Sequence, residues 1–378
     1  MRTASLPTNG DPVGAVRAWL RGLVEKGVVQ QVLAPAVAGE GHAVLGLFAD
    51  PGRMEGVNPW APVMPVQGAR AVSHLTFTPP GVPVAVVLRP CEARAAVELV
   101  KLNQIRVEGV LFVTVDCPGT FEAASFDPAA HDPADLSRSL VIGMAQGTSG
   151  APEGLALRTA CTLCEHPDAA WGGVRILAFG AEPSESLAVE VEDPWAERLE
   201  RAGLLSFGAG APAGRRDVLG RVRGERSRAR DEAFERFRRE AGGVEGLKKA
   251  FAACIRCYNC MENCPICYCK VCIFKSPTFD HPGELYARWA ERKGAQRMPA
   301  ETLLFHLTRL NHMATSCVGC GLCDTACPMG LPVATLFRSV AAGVQAMLGY
   351  EPGRSLDDPI PLTVFREAEL QEESGAGE

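Results

Sequence analysis

The chain has no apolar run long enough to cross a bilayer, so none of its 378 residues is expected to span a membrane. Its opening, Met1-Arg-Thr-Ala-Ser-Leu-Pro7, lacks the apolar core of a secretory signal, and the cytoplasm is the expected compartment. Positive charge is in short supply: 38 Lys and Arg stand against 44 Asp and Glu, a formal net charge of −6. That balance argues against nucleic acid as the main partner. No acid–base pair and no nucleophile with a base beside it stands out, which favours transfer over bond chemistry. No flavin-binding fingerprint is readable. Gly208-Ala-Gly-Ala-Pro-Ala-Gly214 matches part of a phosphate-loop pattern, but Pro212 interrupts it and no clear strand leads into it. It reads as a linker.

Cysteine, by contrast, is abundant. Fifteen thiols in a reducing compartment point to metal or redox chemistry, not to disulfides. Eight of them form two copies of one pattern. Cys254, Cys257, Cys260 and Cys264, followed by Pro265, read C-x2-C-x2-C-x3-C-P; Cys317, Cys320, Cys323 and Cys327, followed by Pro328, repeat it. This is the ligand run of a bacterial-type [4Fe–4S] ferredoxin. Three thiolates two residues apart wrap one face of a cubane, and the fourth leaves the loop for a second cluster. The expected sets are therefore crossed: Cys254, Cys257, Cys260 and Cys327 around one cluster, Cys317, Cys320, Cys323 and Cys264 around the other. Cys267, Cys269 and Cys272 follow within the same nineteen residues. They could substitute as ligands, hold another metal or simply pack, and spacing alone does not choose.

The first 207 residues read as an α/β domain with a partly parallel sheet. Residues 12 to 35 suggest a helix and then a strand, and Ala43 to Phe48 a second strand. Val84–Leu88, a helix over Glu92–Leu102 and a strand over Gly109–Val115 make a strand–helix–strand unit, so its strands are expected to be parallel. Cys91 and Cys117 then follow the carboxyl ends of two strands, the edge where open α/β sheets bind ligands. Cys161 and Cys164 add a C-x2-C pair. For these four thiols a third [4Fe–4S] cluster, a zinc ion and no metal are all open readings. The proline-rich stretch Asn58–Pro65 is either a wall for the core or a loop covering a cofactor. Arg175–Gly180 and Leu187–Val191 are expected to close the sheet.

Residues 208–245 read as a linker and a charged, mostly solvated helix, with Phe234 and Phe237 as its inward side and docking against an acidic partner as the alternative. An α-helical two-cluster ferredoxin domain follows over 246–350, because helical patterns flank and separate the cysteine runs. His306 and His312 on its middle helix read as packing or surface residues, not ligands. Residues 351–378 read as a polar, acidic tail.

Leu88-Arg-Pro-Cys-Glu92, Asp116-Cys-Pro-Gly119 and the cysteine pair before Glu165-His-Pro167 make the first 200 residues or so similar to the beta-subunit family of coenzyme F420-reducing hydrogenases and formate dehydrogenases. Cys264-Pro-Ile-Cys-Tyr-Cys269 and Leu304-Phe-His-Leu-Thr-Arg-Leu-Asn-His-Met313 make the second domain resemble the two-cluster module of the heterodisulfide reductase small subunit and of quinone-linked iron–sulfur subunits. The resemblance implies an electron-transfer subunit of a larger redox assembly, often with a flavin such as FAD in the first domain. Its partners would be formate dehydrogenase, hydrogenase or heterodisulfide-reductase-like subunits. Two functions are thus expected to compete: a relay through two or three clusters, and a flavin-bearing oxidoreductase that takes hydride from a deazaflavin or a nicotinamide and passes single electrons to its clusters.

Overall fold

The computed structural model describes residues 1–295, 298 and 300–364. Its seven strands are β1 (Arg2–Pro7), β2 (Gln31–Ala38), β3 (His42–Phe48), β4 (Val84–Leu88), β5 (Val110–Val115), β6 (Val174–Glu182) and β7 (Ser186–Val191). They form one sheet in the order β1-β7-β6-β5-β4-β2-β3. The central strands β2, β4, β5 and β6 are parallel, and both edges close with antiparallel neighbours. Thirteen helices accompany the sheet among the described residues. In the first half they are α1 (Pro12–Glu25), α2 (Gly68–Leu75), α3 (Pro90–Lys101), α4 (Pro133–Gln146), α5 (Thr159–Thr162) and α6 (Asp193–Arg201). The long α7 (Arg215–Glu240) leads into α8 (Gly243–Ala250), α9 (Asn259–Glu262), α10 (Gly283–Lys293), α11 (Ala300–Met313), α12 (Leu322–Thr325) and α13 (Val333–Met347).

Strand pleating sorts the core onto two faces, because successive side chains alternate. Ala85, Val87, Leu111, Val113 and Val115 face a cluster shared with α1, α6 and the start of α7. Val84, Val86, Leu88, Val110 and Phe112 face the other way, onto α3 and a cluster that continues into the second half of the chain through Phe251, Phe305 and Phe337. Among the described residues, the apolar core of the cysteine-rich region is continuous with the sheet's second face.

The strand–helix–strand unit is as expected: β4 and β5 are adjacent and parallel, with Leu88 opposite Thr114. Its helix starts two residues earlier than its periodicity indicates, at Pro90. Proline suits a first turn, where its missing N–H costs nothing. Cys91 thus sits in the first helical turn, not in the preceding loop. Glu92 fixes that turn. Its carboxylate accepts from the Arg89 N–H at 2.8 Å and from the Gly68 N–H at 2.7 Å, tying the start of α3 to the start of α2.

Two differences from expectation concern the ends of the second half. The charged helix is present as α7, with Phe234 buried, but Arg215, Arg221, Arg223, Arg226 and Arg230 are engaged by acids and carbonyls of the first half. The stretch 351–364 is packed: Pro352, Gly353, Ile360 and Pro361 are buried. The buried carboxylate of Glu98 on α3 accepts from the Tyr350 hydroxyl at 2.6 Å and from the Gly353 N–H at 2.8 Å. The remainder of the segment read as a polar tail, residues 365–378, lies outside the described residues. Among the described residues, no helix is long and apolar enough to cross a membrane.

Candidate metal centres

The two cysteine runs fold into matching loops. In the first, Arg256 and Tyr258, on either side of Cys257, have φ of 54° and 61°; in the second, Gly319 and Gly321, on either side of Cys320, have φ of 71° and 73°. Left-handed residues in such a loop turn successive N–H groups inward, making a concavity suited to anionic sulfur. Glycine adopts that conformation freely, whereas arginine and tyrosine do so at a cost. A one-turn helix follows in each copy and carries the third cysteine: Cys260 in α9 and Cys323 in α12.

Twelve thiols gather in three groups. Burial raises Cys254 and Cys260, the latter to about 11, and the neighbouring thiols of Cys257 and Cys327 push both further. Cys264, Cys317, Cys320 and Cys323 line one apolar pocket with Ile266, Met313 and Phe337. There burial pushes Cys320 up to about 12, with Cys264 and Cys317 adding to it, and burial raises Cys323 well above its ordinary range, with Asp324 and the neighbouring thiols adding to it. The third group comes from three separate segments: Cys91 after β4, Cys117 after β5, and Cys161 and Cys164 at α5. Cys320 lines this pocket too, so the second and third groups share a wall. The proline-rich stretch is a wall of the core that reaches the thiols. Trp60 is buried, with its indole N–H donating to the Asp116 carbonyl at 2.7 Å, and Met64 lines the thiol pocket.

Cations crowd these thiols. Arg158 is buried and donates to Thr120 Oγ1 at 2.8 Å, to Cys161 Sγ at 3.6 Å and to Thr325 Oγ1 at 3.2 Å. Burial works against its charge, but Cys161, Cys91 and Cys320 hold its pKa above the ordinary value. Burial also works against the Cys161 thiolate, yet Arg158 and Thr120 bring that thiol below its ordinary range. Arg226 of α7 donates to the carbonyl of Pro118 at 3.1 Å, and Arg230 pairs with Glu165. Glu165 also accepts from Arg338 of α13 at 2.7 Å. Its burial would raise its pKa, but His166, Arg338 and Arg230 hold it down to about 2. Around the first group His306 Nε2 lies 3.4 Å from Cys254 Sγ; burial and the nearby Arg309 lower the imidazole to about 4, so it is neutral.

The residues fit iron–sulfur clusters on two counts. Buried thiols packed against each other ionise at high cost unless a metal takes up the charge. Around them, Arg89 Nη1, Arg94 Nε, Arg256 Nη1, His306 Nδ1 and Arg309 Nε are buried without a hydrogen-bond partner among the described residues; cluster sulfur is an acceptor for such donors.

Cys267, Cys269 and Cys272 line a different space, a cavity of about 430 Å³ that includes Arg70, Lys270 and Lys275. Cys267 lies beside Cys264, and burial pushes it up to about 11. Sequence reasoning assigned no role to Arg158 or Arg309. The first stands three residues before Cys161 and the second is inside the quoted Leu304–Met313 segment, but a lone arginine on a helix or loop gives no local sign of burial.

Comparison with known proteins agrees with this geometry. Residues 250–331 match a family described as a 4Fe-4S dicluster domain. The F420-dependent formate dehydrogenase subunit beta of Methanocaldococcus jannaschii is 28% identical over 309 residues, covering 74% of this chain and 75% of that protein. The F420-dependent formate dehydrogenase 1 subunit beta of Methanococcus maripaludis is 26% identical over 384 residues, covering 93% of each. A chain of the F420-reducing [NiFe] hydrogenase complex of Methanosarcina barkeri aligns over 65% of this chain and 94% of its own length at 13% identity, with a TM-score of 0.45, too partial a likeness to carry an argument. The chain is similar to the beta subunits of F420-dependent formate dehydrogenases and its residues 250–331 match a 4Fe-4S dicluster domain, which together support an iron–sulfur electron-transfer subunit of a redox complex.

Proposed function

We propose that the chain relays electrons through three [4Fe–4S] clusters between partner subunits of formate dehydrogenase, hydrogenase or heterodisulfide-reductase-like type. The ligand sets would be Cys254, Cys257, Cys260 and Cys327; Cys317, Cys320, Cys323 and Cys264; and Cys91, Cys117, Cys161 and Cys164. When bound, such clusters supply one-electron chemistry over a wide range of potentials. The observation that carries the reading is the shared wall at Cys320, which makes the first-domain thiols continuous with the dicluster region. The protein's own part is to hold the sulfurs in order, exclude water and place guanidinium groups against them. The first-domain set would be the entry or exit point.

Iron and acid-labile sulfide in anaerobically reconstituted protein test this. About twelve irons per chain are expected, four per cluster; about eight would remove the third cluster, and fewer than eight would overturn the relay. Cys264 and Cys267 separate the crossed assignment from substitution. Cys264→Ser is expected to perturb the EPR signal of one C-terminal cluster and Cys267→Ser to leave both intact; the reverse pattern would make Cys267 the ligand.

A second reading adds a flavin that takes hydride from a deazaflavin or nicotinamide. It is favoured by the F420 dependence in the relatives' names and by the 430 Å³ cavity, which is of ligand size and has Arg70, Lys270 and Lys275 to face a pyrophosphate. Stoichiometric flavin fluorescence in the supernatant of denatured protein would support it, and none would leave the relay alone.

A further inference from the structure

Arg309 projects from α11 into the space between the two C-terminal thiol groups. It is only 3% exposed. Nη1 donates to Cys260 Sγ at 3.2 Å and Nη2 to the Cys260 carbonyl at 3.0 Å. The guanidinium lies over the rings of Phe337 and Phe305, 4.9 and 5.4 Å from their centroids. Among the described residues no carboxylate pairs with it. Its side chain also lines the apolar pocket of Cys264, Cys317, Cys320 and Cys323. Cys260 belongs to one proposed ligand set, and Cys264 and Cys323 belong to the other.

A buried cation costs several kcal/mol unless anions surround it. Here the available anions are thiolates of both sets, and Nε remains as a buried donor without a partner. We propose that Arg309 is a shared positioning residue that raises the reduction potentials of both C-terminal clusters together. An added electron makes a cluster more negative, so a fixed cation beside it favours the reduced form. Being common to both, Arg309 would move the two potentials in the same direction.

The inference rests on the two-cluster reading, and the tests separate the two. Iron content is measured first on the full chain, reconstituted anaerobically; fewer than about eight irons in the wild type defeats the cluster reading itself. Potentiometric EPR titration then compares wild type, Arg309→Gln and Arg309→Lys, with the exposed Lys249→Gln as a surface-charge control. With iron retained, Arg309→Gln is expected to lower both midpoints, Arg309→Lys to restore them in part, and the control to move neither, since exposed charges are screened. A shift of one midpoint alone, or of neither, overturns the proposal. If Arg309→Gln loses iron, Arg309→Lys decides: a concerted shift supports the proposal and unmoved midpoints reject it. Loss of iron from both variants would make Arg309 a structural residue and would also reject it.

Discussion

A Cys91→Ala/Cys161→Ala double variant should hold about four fewer irons than the wild type, while the EPR signals of the two C-terminal clusters persist. The expectation follows from how the third thiol group is built. Cys91 rides on the first turn of α3 and Cys161 on the short α5, so the two substitutions take ligands from two segments at once. Cys117 and Cys164 alone could not hold a cubane. The proposed C-terminal sets would draw no ligand from the first domain, and their loops are shaped by their own left-handed residues, so they have no reason to fail with it. The two groups meet at the wall at Cys320, where a Cβ on the neighbouring Gly321 would collide with Ala160 Cβ. That closeness predicts a second effect: the cluster ligated through Cys320 should lose any magnetic coupling to the third. Iron content equal to the wild type would show that these four thiols hold no cluster.

The parts of this site differ in how openly the sequence declares them. The C-terminal runs are legible because ligand spacing is a local property: four thiols at C-x2-C-x2-C-x3-C-P spacing, twice in one chain, are not a packing pattern. The first-domain group is spread over more than seventy residues and is legible only through topology. Cys91 and Cys117 fall together because parallel neighbours joined by a helix end at the same edge of the sheet, and β4 and β5 are such neighbours. What the sequence hides is pairing at a distance. β1 is a six-residue strand whose partner is β7, nearly the whole first domain away, and nothing within Arg2–Pro7 announces it. No element was expected between Val115 and Arg175, yet α4 lies there with signals of its own: Asp132 accepts from the Ala134 and Asp135 N–H groups at its start, and Gly147 takes φ of 78° at its end. The arginines of α7 mislead most. Their density is that of a solvated helix, and their acidic partners, Asp116, Asp168 and Glu165, lie 55 to 99 residues upstream, beyond any helical spacing rule. With those acids found, α7 becomes a brace across the third thiol group, and an acidic partner protein is not needed to account for its charge.

Asp116 is where that brace is most exposed to test, and Asp116→Ala is expected to cost the first domain about 3–5 kcal/mol. The carboxylate is fully buried. One oxygen accepts from the Ala169 N–H at 2.8 Å, the other from the Ala178 and Phe179 N–H groups at 2.8 and 3.0 Å, and Arg215 closes a fork over both. Alanine would leave three backbone donors and a guanidinium without an acceptor in a space too small to hydrate freely, and an unsatisfied buried group costs its full desolvation penalty. The damage should be local. Asp116 precedes Cys117 directly, and Ala169 ends the segment that carries Cys161 and Cys164, so one side chain fixes the spacing of three thiols without touching any of them. Hydrogen exchange on the reconstituted protein should show protection of the Ala178 and Phe179 amides falling by about two to three orders of magnitude, since each 1.4 kcal/mol is tenfold. Helices α11 and α13, held by the C-terminal loops, should keep theirs. Asp116→Asn separates charge from hydrogen bonding: its amide keeps one acceptor but sets an N–H against the donors that the carboxylate served, so it should fall between wild type and alanine. Unchanged protection at Ala178 in the alanine variant would mean that the loop after β5 is held by the sheet and by Trp60 alone, and that α7 lies on the first domain without securing it.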